Sequence, residues 1–141
     1  MAGVKVRDVM TRKVVYLPAG TPLDEAASAM RDADIGDVVV TDGPNLLGMV
    51  TDRDIVVRAV AEARDVRQTT LGAIATREIV MIEQNSTVDA AAALMRERAV
   101  RRILVCDSDR RLVGIVSLGD LAMRLTPAPA LAGAHDTAPG R

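Results

Sequence analysis

Aromatic residues are almost absent from this chain of 141 residues, which has no Trp, no Phe and a single Tyr, Tyr16. Proteins that bind single-stranded nucleic acids stack the bases on aromatic side chains, and this sequence has no set of them. The 18 Lys and Arg residues are balanced by 19 Asp and Glu residues, so the net charge of −1 creates no field that would attract a polyanion. We therefore expect an aliphatic core and no nucleic-acid partner.

Cysteine and histidine each occur once, as Cys106 and His135. A single cysteine permits no disulfide within the chain and no metal site built from several thiolates, and its place after the apolar run 103–105 is typical of a buried, unreactive thiol. His135 lies in a tail rich in Pro, Gly and Ala, so catalysis by a positioned histidine has no residue to use. We predict no enzyme activity, no metal and no catalytic cofactor.

Long hydrophobic runs are also missing. No segment has the apolar core of a signal peptide or the length of a membrane span, which predicts a cytoplasmic protein without a membrane partner. The hydrophobic content of 49% is nevertheless sufficient for the core of one compact domain or of two small units that pack together.

The sequence is internally duplicated. Residues 6–15 align with residues 71–80 at an offset of 65, and Gly48 aligns with Gly114 at an offset of 66. The apolar positions coincide in the two copies, as they do in repeat proteins. The alignment predicts a first repeat at residues 1–64 and a linker with the second repeat at residues 65–126. Residues 127–141 are predicted to be a disordered tail.

Each repeat has the pattern of a strand, a helix, a β-hairpin and a second helix. The apolar runs 14–17 and 79–82 predict the first strands. Thr21 and the hydroxyl residues 86–87 are typical helix N-caps, and Pro22 suits the first helical position. Two pairs of apolar runs around turn residues predict the hairpins, 38–41 with 47–50 and 103–106 with 112–116. The fold class is therefore α/β, with two repeats related by a pseudo-twofold axis and packed through their small sheets.

The two copies share one turn motif, Gly48–Asp54 and Gly114–Asp120. In each, a strand ends at a hydroxyl residue and the following helix carries an aspartate in its first turn. Free N–H groups at a helix start suit an anion, and a carboxylate can accept both hydrogen bonds of a ribose diol. The same Ser/Thr-x-x-Asp spacing is also the capping-box pattern that starts helices. The motif is thus consistent with nucleotide binding and with helix capping, and both can hold at once.

With its companion motifs, Val9-Met10-Thr11 and the strand segment Ile35–Asp42, this turn makes the chain resemble a tandem pair of CBS domains. These modules are named after cystathionine beta-synthase. The resemblance covers about residues 6–125 and extends to short stand-alone bacterial proteins that contain little besides the pair. It implies clefts between the repeats that bind an adenosine-containing ligand such as AMP, ADP, ATP or S-adenosylmethionine.

The resemblance also implies which residues form the two sites. The aspartate and the hydroxyl residue would hold the ribose, apolar residues would sandwich the adenine, and Arg53 would meet a phosphate. The residues implied for the first site are Val14, Ile35, Gly36, Val38, Thr51, Arg53 and Asp54. Those implied for the second site are Ile79, Val100, Arg101, Arg102, Ile103, Ser117 and Asp120.

The chain departs from the family pattern at several of these positions. Gly119 stands where the first copy has Arg53, and Arg101 stands where it has Gly36. Val39 and Leu104 occupy strand positions where the family often has Pro. We therefore expect two sites that are not equivalent, with Arg98, Arg101 or Arg102 as the source of positive charge in the second.

The function implied by the resemblance is that of a regulatory sensor. Ligand occupancy would bias a regulated partner protein, and no reaction is required. The resemblance further implies a homodimer formed through the helices. The alternative is a dimeric interaction scaffold whose clefts no longer bind any ligand.

Overall fold

The computed structural model describes residues 3–125, and the tail predicted to be disordered lies outside the described residues. The protein is a mixed α/β structure with two three-stranded sheets, which confirms the predicted fold class. The first half begins with a 3-10 turn at Val6–Asp8. Its strands are β1 Tyr16–Pro18, β2 Asp37–Asp42 and β3 Asn45–Thr51. Its helices are α1 Leu23–Ala33 and α2 Asp52–Ile55, and a π-helical turn at Val56–Val60 extends α2. The second half contains α3 Leu71–Ile74, β4 Met81–Glu83, α4 Val88–Arg98, β5 Arg102–Cys106, β6 Leu112–Ser117 and α5 Leu118–Leu125.

The two sheets have the same topology. In one, β1 pairs in parallel with β2, and β2 pairs antiparallel with β3. In the other, β4, β5 and β6 repeat this arrangement. The register shifts between Val40 and Thr41 in the first hairpin and between Val105 and Cys106 in the second. These positions correspond at the repeat offset, so the duplication extends to the irregularity of the sheet, and both predicted hairpins are confirmed.

The compact units are divided differently from the sequence repeats. Among the described residues, one unit combines residues 3–14 with residues 80–125, and the other is Val15–Ile79. In the first unit, Thr11 and Ile115 form a two-way backbone bridge, with N···O distances of 2.8 and 2.9 Å. In the second, Met49 and Thr76 form the corresponding bridge at 3.0 and 2.9 Å. The segment that precedes each repeat's first strand therefore pairs with the third strand of the other repeat's sheet.

The start of α1 differs from the prediction. Thr21 is not the N-cap, because α1 begins at Leu23 with Pro22 as the N-cap and without a capping side chain. The N–H of Leu23 instead donates to the carbonyl of Thr69 at 2.9 Å, and that of Asp24 donates to Val66 at 3.1 Å. Carbonyl groups from the segment that follows the first repeat thus satisfy the free N–H groups of this helix end.

The equivalent helix α4 keeps a side-chain cap. The hydroxyl of Thr87 accepts a hydrogen bond from the N–H of Ala90 at 3.1 Å, which confirms the predicted hydroxyl cap. Both helices end at a residue in the left-handed conformation, Asp34 with φ 57° and Ala99 with φ 55°. The strands that follow these helices, β2 and β5, are therefore both preceded by a turn of the same left-handed conformation.

Each unit has its own aliphatic core, as the lack of aromatic residues predicts. The core of the first unit consists of Val6, Met10, Val80, Val88, Ala91, Met95, Ile103, Val105, Val116 and Leu121. The core of the second consists of Leu23, Ala26, Met30, Val38, Val40, Val50, Ile55, Ala59, Leu71 and Ile74. Small alanines on α1 and α4 let these helices lie close to their sheets.

Candidate functional site

The first candidate site is the turn between β3 and α2. Thr51 is the N-cap of α2, and its hydroxyl accepts the N–H of Asp54 at 3.0 Å. The Oδ2 atom of Asp54 accepts the N–H of Thr51 in return, at 2.9 Å. This reciprocal pair is a complete capping box. It uses one carboxylate oxygen of Asp54 and leaves the other for a second partner.

The sheet places this turn beside the start of β2. Asp37 pairs with Thr51 in the antiparallel register, and the N–H of Asp52 donates to the carbonyl of Gly36 at 2.9 Å. Ile35 precedes this contact and is partly exposed. Gly36, Thr51 and Asp54 are therefore held at one end of the sheet.

The second candidate site repeats this geometry at the end of β6. The N–H of Ser117 donates to Oδ2 of Asp120 at 2.9 Å, and the N–H of Asp120 donates to the hydroxyl of Ser117 at 3.0 Å. The N–H of Leu118 donates to the carbonyl of Arg101 at 2.8 Å, as Asp52 does to Gly36. Arg102 pairs with Ser117 in the register of the hairpin. The second turn therefore has the same arrangement as the first, and it involves Val100, Arg101, Arg102, Ser117 and Asp120.

The charges at the two turns differ. In the first, the side chain of Arg53 is exposed beside Asp54. In the second, Gly119 provides no cation, and the exposed Arg101 stands on the neighbouring chain segment instead. An anionic group bound at the two turns would thus meet positive charge from two different directions.

Two of the predicted apolar contacts are core residues. Val38 and Ile103 are each 0% exposed and belong to the two hydrophobic cores. Their side chains have no surface to offer to a ligand in this structure, so only their backbone atoms could contribute to binding. The partly exposed Ile35 and Val100 are better placed for an apolar contact.

Val14 and Ile79 are placed at the limits of the compact units. Val14 belongs to the unit that contains Ser117, and Ile79 belongs to the unit that contains Thr51. The resemblance had grouped them the other way round, Val14 with the first turn and Ile79 with the second. That grouping, and the ligand role of all these residues, stay predictions.

Sequence reasoning missed Arg58, which lies one helical turn after Asp54. Its Nε atom is 3.8 Å from Oδ1 of Asp54, and its Nη1 atom donates to the carbonyl of Ile74 at 2.9 Å. The side chains of Arg58 and Asp54 are 47% and 19% exposed, so the pair is screened by solvent and contributes little stability by itself. The i, i+4 spacing of opposite charges in the sequence was a signal that could have identified it.

Within residues 3–125, no group of three or more His, Cys, Asp or Glu side chains is arranged to hold a metal ion. None of the helices in that same range is both long enough and apolar enough to cross a membrane.

Comparison with known proteins identifies the family. The family model of the CBS domain matches residues 6–60 and again residues 71–126. The CBS domain-containing protein YhcV of Bacillus subtilis is 38% identical over 118 residues, which cover 84% of this chain and 83% of the relative. Hypoxic response protein 1 of Mycobacterium tuberculosis is 38% identical over 120 residues, with 84% and 83% covered.

A solved structure indicates the same family as these relatives. The CBS-domain containing protein from Agrobacterium tumefaciens superposes with a TM-score of 0.74 at 30% identity, covering 89% of this chain and 98% of that one. The relatives are of similar length and also contain little besides the matched region. The chain therefore belongs to the CBS-domain family and consists, over most of its length, of two tandem CBS domains.

Proposed function

We propose that this protein is a regulatory sensor that binds an adenosine-containing ligand, such as AMP, ADP, ATP or S-adenosylmethionine, at the Thr51–Asp54 and Ser117–Asp120 turns. Ligand occupancy would then bias the activity of a regulated partner protein. The proposal involves no chemical reaction and no catalytic cofactor. Its main support is that each capping box uses only one oxygen of its aspartate.

The free oxygen is what gives the turns a binding function beyond helix capping. In the first turn, Oδ1 of Asp54 is 3.8 Å from the nearest cation, which is beyond hydrogen-bond distance. A ribose hydroxyl could donate to this oxygen without disturbing the cap. Hydrogen bonds to a charged acceptor are about twice as strong as neutral ones, so the free carboxylate oxygen at each turn could supply a useful part of the affinity for a nucleoside bound there.

The two sites would prefer different ligands. Arg53 lies directly on the first turn and suits a ligand that carries phosphate close to the ribose. The second turn has Gly119 at that position, and its positive charge comes from Arg101 and Arg102 on β5 and the preceding loop. A single nucleotide should therefore bind the two sites with unequal affinity.

A thermal-shift panel tests the proposal. The purified protein is heated with AMP, ADP, ATP and S-adenosylmethionine in turn, with adenine and ribose 5-phosphate as fragments. A ligand that binds only the folded protein raises the free energy of unfolding by about 2.7 kcal/mol at a hundredfold excess over Kd. A shift with at least one adenosine compound supports the proposal, and no shift with any of them contradicts it.

A second function, that of a ligand-independent interaction scaffold, is favoured by an exposed apolar surface. Val56, Val57 and Val60, on the π-helical turn after α2, are 56%, 44% and 59% exposed. Clustered apolar side chains on the surface of a small protein commonly mark a protein interface. A second copy of this chain is the simplest partner for such a surface, in keeping with the proposed homodimer.

A further inference from the structure

The second unit contains a surface pocket next to the turn of Thr51 and Asp54, and Arg58 lies between the two. Its volume is about 440 Å³, which lies within the range of small-molecule sites. It is formed by the helical end of the first repeat and by α3 with the residue that follows. The lining residues are Val57, Arg58, Glu62, Arg64, Ala73, Ile74 and Ala75.

The charged part of the lining is net positive. Arg58 and Arg64 contribute two guanidinium groups, against one carboxylate from Glu62. Arg58 is held in place because its Nη1 atom donates to the carbonyl of Ile74, itself a wall residue, at 2.9 Å. A guanidinium has five N–H donors, so Arg58 keeps donors for a ligand after this bond. The side chain of Arg64 makes no hydrogen bond or ion pair with another residue in the range 3–125.

The backbone fixes the position from which Arg64 projects. Ala63 has a φ of 58°, in the left-handed region, and its N–H donates to the carbonyl of Val60 at 3.1 Å. The N–H of Arg64 donates to the carbonyl of Ala59 at 2.9 Å. These two bonds form a Schellman motif, which ends the helix with a defined change of direction. Arg64 is therefore attached to ordered backbone.

The remaining wall is apolar. Val57, Ala73 and Ala75 offer hydrocarbon surface, whereas Ile74 is almost fully buried. Polar atoms make up the larger part of the pocket surface, and these side chains add a smaller hydrocarbon part against which an apolar group can pack. Two arginines suit a phosphate or a carboxylate, since the planar fork of each can donate two hydrogen bonds to such a group.

We propose that this pocket binds a small organic anion, with its phosphate or carboxylate group between Arg58 and Arg64 and its apolar part against Val57, Ala73 and Ala75. The site requires no ribose and no adenine. It also uses neither hydroxyl nor carboxylate of the two capping boxes. Arg58 links the pocket to the first turn, because its Nε atom is 3.8 Å from Oδ1 of Asp54.

Titration with phenyl phosphate, followed by amide ¹H–¹⁵N NMR, tests this site. Phenyl phosphate combines a dianion with an apolar ring, and inorganic phosphate is the matched probe that lacks the ring. We expect phenyl phosphate to shift the amide signals of residues 57–64 and 73–75 and to bind at least several-fold more tightly than inorganic phosphate. No shift of these signals up to about 10 mM, above the millimolar Kd expected of so small a ligand, would overturn the proposal.

Three variants identify the groups involved. Arg64→Gln should weaken phenyl phosphate binding by about two- to fivefold, the effect of one exposed charge contact. Glu62→Gln should strengthen binding, because it removes the negative charge from the lining. Arg67→Gln is the control, since Arg67 is exposed on the same segment but does not line the pocket.

The outcomes separate a built site from general attraction by charge. A loss confined to Arg64→Gln, with a gain for Glu62→Gln, supports the pocket. Equal losses for Arg64→Gln and Arg67→Gln, or equal affinities for the two phosphates, would show nonspecific attraction and contradict it. Neither probe contains a nucleoside, so these results do not depend on whether the turns bind one.

Discussion

Gly48 lies against the backbone of Thr76 so closely that no side chain fits between them. A Cβ atom on Gly48 would lie 2.9 Å from the carbonyl carbon of Thr76 and would overlap its oxygen. The neighbouring Met49 exchanges two backbone hydrogen bonds with Thr76, at 3.0 and 2.9 Å. The glycine of the first turn motif is thus required where the segment before the second repeat pairs with β3.

Gly48→Ala should therefore destabilise the protein. The added methyl group must displace backbone atoms, and overpacking of this kind costs about 1–3 kcal/mol. Gly20→Ala is the matched control, because a Cβ atom there would meet nothing within 4 Å. Urea unfolding followed by circular dichroism measures both. Equal stability of the two variants would show that the bridge to Thr76 yields easily.

Ala99→Gly should have the opposite effect and stabilise the protein. Ala99 ends α4 with a φ of 55°, a conformation that costs a residue with a Cβ atom about 1 kcal/mol or more and costs glycine nothing. Part of this gain is offset by the greater freedom of glycine in the unfolded chain. We expect a net gain of about 0.5 kcal/mol in urea unfolding.

The control for this prediction is on the same helix. Ala93 is an exposed residue in the interior of α4, where glycine should cost about 1 kcal/mol. Ala93→Gly should lower the free energy of unfolding while Ala99→Gly raises it. A loss at both positions would mean that the entropy of the unfolded chain outweighs the strain at Ala99.

Cys106 should react slowly with thiol reagents in the folded protein. The side chain is 2% exposed, as the apolar run before it predicted, and its Sγ atom lies 3.6 Å from the carbonyl of Ile82. Labelling with a colorimetric disulfide reagent should need local unfolding, and it should become fast in guanidinium. Labelling as fast in the native state as in guanidinium would show that β5 opens readily, and it would support redox sensitivity.

The sequence predicted local structure well because its signals are local. The Thr51-x-x-Asp54 and Ser117-x-x-Asp120 spacings specified two capping boxes, and both are present with all four hydrogen bonds. The hairpins followed from apolar runs around turn residues. In each case, residues within a few positions of one another determine the geometry.

Where a feature depends on residues that are far apart in the sequence, the prediction was wrong or was not made. The N-cap of α1 was assigned to Thr21, whereas carbonyls about forty-five residues further on, at Val66 and Thr69, serve that helix end. Internal similarity shows which segments are alike but not which ones pack together. For the same reason, no local pattern of residues indicated that Arg58 and Arg64 share a pocket with Ile74.

We expect the protein to be a homodimer, with a mass close to twice 14.9 kDa by light scattering. The exposed valines after α2 are the apolar surface that such a contact would cover. Val60→Glu places a charge on that surface and should shift the mass towards that of the monomer. Gln68→Glu adds the same charge at an exposed polar position and should not. A monomer at micromolar concentration would contradict the dimer itself.

The aspartates of the two turns provide the decisive test of nucleotide binding. Asp54→Asn keeps one carbonyl oxygen, which is enough to accept the N–H of Thr51 and preserve the capping box. It removes the charge and the second acceptor that a ribose diol would use. The exposed contact with Arg58 is also lost, at a cost of well under about 1 kcal/mol.

Calorimetric titration of the parent, Asp54→Asn and Asp120→Asn, with whichever adenosine compound raises the melting temperature, separates binding from capping. Loss of charge-assisted hydrogen bonds to the ribose should cost about 1.5–3 kcal/mol, which is about ten- to a hundredfold in affinity. The melting temperature without ligand should change little, since the cap remains. Because the charges around the turns differ, the two variants should also lose affinity to different extents. If both variants bind as tightly as the parent, the ribose assignment is wrong, and Asp54 and Asp120 serve only to start their helices.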